Sequence, residues 1–130
     1  MFSGKRPDNL GVKDGKLAAC PASPNCVSSQ ASSPRQRVTP LRLSGEPEAE
    51  MKRLKEVISN MSGTKLVDES NHYLHFECAS KLLGFVDDLE LFCNPDEGVV
   101  HLRSASRLGY SDLGVNRKRA EDIRRRFELA

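Results

Sequence analysis

The sequence predicts an α+β domain, an antiparallel sheet of about five strands with two helices packed on one face, preceded by an irregular N-terminal arm. Three observations predict it. Apolar residues recur at helical spacing after Glu46 and again after Asn116. Between those segments, from Thr64 to Ser106, the apolar period is two, as half-buried strands require. Residues 1–35 are rich in Gly, Pro, Ser and Asn and show neither period. The 130-residue chain therefore divides into an extended arm over 1–35, carrying a Cys20/Cys26 loop, and one α+β domain over 36–130.

Each element has its own local reason. Val38, Leu41 and Leu43 suggest a short strand, and Pro40, which cannot donate a ladder hydrogen bond, places it at the sheet edge. Glu46-Pro47 opens the first helix, because proline fits a first turn whose N–H groups have no intrahelical partner. Met51, Leu54, Val57, Ile58 and Met61 then form one stripe, which Ser62-Gly63 ends. Strands follow at Thr64–Asp68, His72–Ala79, Gly84–Cys93 and Val99–Ser106, with connections short enough for hairpins. The second helix, about Asn116–Phe127, shows one narrow stripe of Ala120, Ile123 and Phe127, and the order strand, helix, four strands, helix implies that both helices pack on one face of the sheet.

Composition excludes several function classes. Twenty basic and eighteen acidic residues leave a net charge of +2, too balanced to coat nucleic acid by charge. The strands lack paired exposed aromatics for base stacking, so nucleic acid is not an expected partner. No apolar run is long enough for a transmembrane helix. Leu17-Ala18-Ala19-Cys20 looks like the end of a lipoprotein signal, but charged residues before it replace the required apolar region, and the expected location is cytoplasmic. No nucleophile elbow, glycine-rich nucleotide loop or spaced metal motif is present, so neither cofactor nor metal is expected. Cys78 and Cys93 fall in strands and read as small buried apolar side chains. Cys20 and Cys26, in Cys-Pro-Ala-Ser-Pro-Asn-Cys, leave two readings open: a disulfide or reactive dithiol, or inert thiols.

Hairpin register can be set by keeping apolar residues together, since a one-residue slip exchanges the faces. Pairing Leu91 with Val100 and Leu74 with Leu89 makes one face apolar. The other then carries Tyr73, His75, Glu77, Asp88, Glu90, His101 and Arg103, with Asp88 opposite Arg103 and His75 beside Asp88. On an outer face left open by the helices, opposed charges serve stability, and Asp88 and Glu90 are assigned structural roles. A binding surface in which Arg103 captures an anion is the alternative. Asp87 points inward and needs partners, for which Ser104, Ser106 and Tyr110 are nearest; it ties the Ser104–Ser111 turn to the sheet, or acts as a general base.

The segment Arg103-Ser-Ala-Ser-Arg-Leu-Gly-Tyr-Ser-Asp-Leu-Gly-Val-Asn-Arg-Lys-Arg119 gathers hydroxyls, turn N–H groups, a helix N-terminus and five positive charges. This is the chemistry of anion recognition. Arg103, Ser104, Ser106, Arg107, Tyr110, Ser111, Asn116, Arg117 and Arg119 are the candidate ligand-binding residues. Arg117, Lys118 and Arg119 oppose the helix macrodipole, a penalty offset either by Asp112, Glu121 and Asp122 or by a bound anion.

Three separated motifs, Cys20-Pro-Ala-Ser-Pro-Asn-Cys-Val-Ser-Ser29, Phe85-Val-Asp-Asp-Leu-Glu90 and Arg103 to Arg119, make the chain resemble the bacterial and plastid domain-of-unknown-function family numbered 1499, from Leu10 onward. The resemblance implies membership and no activity. Similar members often carry a signal, lipoprotein or membrane anchor. The first function expected is a non-enzymatic binding module for a small anion or an acidic protein group. An enzyme is the alternative, hydrolase-like through Asp87 or His75 or thiol-based through Cys20 and Cys26, as is a purely structural interaction domain.

Overall fold

A computed structural model describes residues 4–80, 84–109 and 112–129. The elements are β1 (Cys26–Ser28), β2 (Leu41–Arg42), α1 (Pro47–Ser59), β3 (Thr64–Ser70), β4 (Tyr73–Ala79), β5 (Val86–Asn94), β6 (Val99–Ser106) and α2 (Val115–Leu129). The strands form one antiparallel sheet in the order β1-β6-β5-β4-β3, with β2 also pairing β6, so six strands replace the expected five or so. The additional strand is β1, which lies inside the arm and is too short to show a period of two.

Both helices lie on the face that carries Leu74, Phe76, Leu89, Leu91, Val100 and Leu102. Leu54 and Ile58 of α1, and Ala120, Ile123 and Phe127 of α2, complete that core. Pro47 sits at the start of α1 as expected, and Glu46 before it is extended. Arg53 joins the helices by stacking on the Phe127 ring at 3.9 Å and donating to the Phe127 carbonyl oxygen. Gly63 turns the chain from α1 into β3 at φ 82°; a Cβ there would stand 2.5 Å from the Ala79 carbonyl oxygen.

The expected register is wrong by two residues in both central hairpins. Leu91 pairs Leu102 and Leu74 pairs Leu91, while Glu90 faces Arg103 and Asp88 faces Ala105. In the β5–β6 hairpin Asn94 pairs Val99 and its Oδ1 accepts the Asp96 and Glu97 N–H groups, which closes the loop over 95–98, two residues tighter than the 93–98 that the expected pairing leaves between Phe92 and Val99. A two-residue shift preserves every inward and outward assignment, so the polar face is the one expected.

That polar face is not open. The arm crosses it: Arg6 pairs Glu77, Gly11 donates its N–H to Glu90, and the Ala19 carbonyl accepts from Arg103. Gln30 anchors the crossing segment through Leu17 and Gly15. Tyr73, His75, Asp88, Glu90, His101 and Arg103 are all buried as a result.

Candidate functional site

The charged residues divide between the two faces of the sheet. On the outer face, Asp88 is 1% exposed and holds Arg107 through both carboxylate oxygens, at 2.8 Å to Nε and 2.9 Å to Nη2. His75 Nε2 lies 2.8 Å from Asp88 Oδ1, and Arg107 also reaches Glu77. Burial alone would raise the Asp88 carboxyl, but Arg107 and His75 outweigh it and hold it below the usual aspartate range. Glu77 is likewise lowered, as Arg107 and Arg6 override its desolvation. The hydrogen bonds that Arg107 donates to Asp88 hold its guanidinium above its ordinary value, so it stays charged.

Beside this group, fully buried Glu90 accepts the Tyr73 hydroxyl and the Gly11 N–H on Oε2. Burial, then Glu90 itself, push the Tyr73 phenol upward. Arg103 Nη1 stands 3.8 Å from Glu90 Oε1, and neither that oxygen nor Arg103 Nε has a hydrogen-bond partner.

On the inner face, Asp87 pairs Arg119 at 2.8 Å rather than depending on hydroxyls alone. The same Nη1 of Arg119 donates to Ser104 Oγ and Asn116 Oδ1. Asn116 is fully buried in the first turn of α2. Its Oδ1 accepts from Ser104 Oγ at 2.6 Å, and its Nδ2 lies within reach of Asp112 Oδ2, Ser106 Oγ and the Asn25 carbonyl. Asp112 Oδ2 also accepts the Asn116 N–H and Oδ1 the Gly114 N–H, which caps the helix start and balances Arg117 to Arg119. Desolvation would raise the Asp112 carboxyl, but these bonds lower it.

This corner opens into a cavity of about 290 Å³ lined by Phe85, Leu108, Leu113, Val115, Asp87 and Arg119. Its first four residues are, with Leu129, the exposed large apolar side chains among the described residues. Leu113 is 93% exposed and has φ 55°, a left-handed conformation that costs a branched side chain about 1–2 kcal/mol.

The candidate ligand residues are therefore not one patch. Arg103 and Arg107 belong to the outer network. Ser104, Ser106, Asn116 and Arg119 meet at the inner corner, where Ser106 also lines the cavity. Arg117 donates to the carbonyls of Arg35 and Arg37. Tyr110 and Ser111 lie outside the described residues. Cys20 and Cys26 form a disulfide, so neither is a free thiol, and Cys78 and Cys93 are buried. His75 is buried beneath the arm. Among the described residues no three His, Cys, Asp or Glu side chains are placed to hold a metal ion, and no helix is long and apolar enough to cross a membrane.

The periodic pattern missed Asn25, whose carbonyl reaches both Ser106 N and Asn116 Nδ2 and whose Nδ2 donates to the Gly109 carbonyl. Its signal was its place in the Cys20–Ser29 motif. A family model described as "Protein of unknown function (DUF1499)" matches residues 16–127. No curated protein and no solved structure matches the chain.

Proposed function

Because the chain belongs to the DUF1499 family, whose description assigns no function, we propose from its geometry that it is a non-enzymatic binding module. Its ligand is a small anionic molecule or an acidic partner group carried on an apolar body, and its site is the corner cavity. One observation carries this reading: four exposed large apolar residues surround a cavity that also contains Arg119. Apolar side chains scattered singly on a surface need no explanation, whereas a cluster around a concavity marks a binding surface.

Arg119 suits the polar end of such a ligand. Its hydrogen bonds to Asp87, Ser104 and Asn116 all use Nη1, so the guanidinium is fixed in place while Nε and Nη2 remain for a carboxylate or phosphate fork. Arg103, Arg107 and Arg117 are engaged by other groups of the protein.

Thermal denaturation with three probes at matched ionic strength tests the reading. Hexanoate should raise the melting temperature in a saturable way, hexanol less, and sulfate less than hexanoate, because only hexanoate meets both cavity features. Equal effects of hexanoate and chloride would overturn it.

A further inference from the structure

We propose that the Cys20–Cys26 disulfide is a redox-controlled clip, closed to hold the arm against the sheet and the corner before α2, and opened by a dithiol reductant to free both locally. The placement of the two sulfurs is the reason. Cys26 begins β1, is 1% exposed and pairs Ala105 of β6. Cys20 is half-buried and ends the segment that crosses the outer face. The bond thus joins two pieces of chain that grip different faces. On the Cys20 side, the Ala19 carbonyl accepts from Arg103. On the Cys26 side, Asn25 accepts from Ser106 and Asn116 and donates to Gly109.

Opening the clip leaves most of the core in place, because its apolar side chains come mainly from β3 to β6 and the two helices. The closed loop is short, so it restrains little of the unfolded chain, and its effect is on local order. What holds the segment before Cys20 without it is largely polar: Arg6, more than half exposed, on Glu77, the Gly11 N–H on Glu90, the Gln30 side chain on Leu17 and Gly15, and the Ala19 carbonyl under Arg103, with Leu17 its buried apolar side chain.

The exchange chemistry balances with an external dithiol. A reductant thiolate attacks the more accessible Cys20 Sγ; the S–S bond breaks and its electron pair leaves on Cys26 Sγ, which takes a proton. The reductant's second thiol then attacks the mixed disulfide, releases Cys20 as a thiol and closes the reductant's own disulfide. The protein gains two electrons and the dithiol loses two. Cys78 is a poor competitor for this exchange, since burial pushes its thiol up to about 11, and burial also raises Cys93.

Amide hydrogen exchange of the full chain, followed by NMR before and after dithiothreitol, tests the clip without any cavity ligand, so its failure is separate from failure of the binding reading. Reduction, verified by mass, should speed exchange at least about tenfold at the Gly11, Ser28 and Ser106 amides, while amides within the β4–β5 ladder change by less than about twofold. Reoxidation should restore the slow rates. Cys20→Ser, made at the more exposed partner, should reproduce the open pattern without reductant. Unchanged exchange at all three amides with both thiols free, or native protection in Cys20→Ser, would overturn the proposal. A parallel loss of protection across β4 and β5 would overturn it too, by showing a global staple.

Discussion

The two faces of β6 use the same residue types for opposite ends. Arg103 and Arg107, on or just after its outer face, are enclosed by carboxylates, a histidine and the arm. Arg119, meeting its inner face through Ser104, holds one carboxylate and lines a cavity with an apolar rim. The first arrangement sets each arginine against a carboxylate of the same chain, leaving, among the described buried side-chain atoms, only Glu90 Oε1 and Arg103 Nε without a hydrogen bond, and binds the chain to itself. The second leaves part of a fixed guanidinium beside exposed apolar surface, which is the arrangement that suits a ligand. A count of arginines in the Arg103–Arg119 segment does not separate these cases; covering by the arm does.

The largest effect should come from breaking the covered side. Arg107→Ala leaves Asp88 and Glu77 without their main counter-charge, and Asp88 is almost wholly buried, so urea denaturation should show a loss of about 3–5 kcal/mol. Arg107→Lys should recover only part of it, because a lysine cannot reproduce the two-point contact with Asp88. A smaller loss follows at the corner. Arg119→Ala should cost about 1–3 kcal/mol, since the Arg119 and Asp87 side chains keep some contact with water. The same substitution should remove the hexanoate-specific rise in melting temperature, which Arg107→Lys should leave intact.

Acid should sharpen the contrast next. Asp88, Glu77 and Asp112 titrate below their unfolded values, so the stability they contribute is present above about pH 4–5 and is lost as pH falls through their lower folded values. Urea midpoints measured from pH 6 to pH 2 should fall on that limb, and less in Arg107→Ala, where the lowering of Asp88 and Glu77 is reduced. The smallest effect belongs to Leu113→Gly. Relief of the left-handed leucine and the added freedom of glycine in the unfolded chain nearly cancel, leaving a change under about 1 kcal/mol. Its hexanoate response should nevertheless weaken, as a cavity wall is lost.

Helix stripes and strand alternation made the fold legible. The stripe from Met51 to Ile58 and the Ala120-Ile123-Phe127 stripe both face the core, and β6 spans the residues expected of it. The period of two fixed which residues share a face but carries no information about a two-residue slip, so the pairing partners failed while the His75–Asp88 contact survived as a diagonal. The arm was opaque for another reason: its hold on the sheet uses backbone groups at Gly11, Ala19 and Asn25, and backbone bonding at isolated positions leaves no periodic trace. The candidate site was legible in part. Asp87 was expected to point inward and to need partners, but Arg119 lies a helical turn beyond the turn expected to supply them. The cavity depends on Phe85 meeting Leu108 and Leu113 from a segment more than twenty residues away, which no local window contains.

The most direct test of the division between the two faces is an amide NMR titration of the full chain with hexanoate. Saturable shifts at Ser106, Gly109, Val115 and Arg119, with Tyr73, His75 and Glu90 unmoved, are the predicted result. Shifts confined to the outer-face strands, or none that saturate, would contradict it.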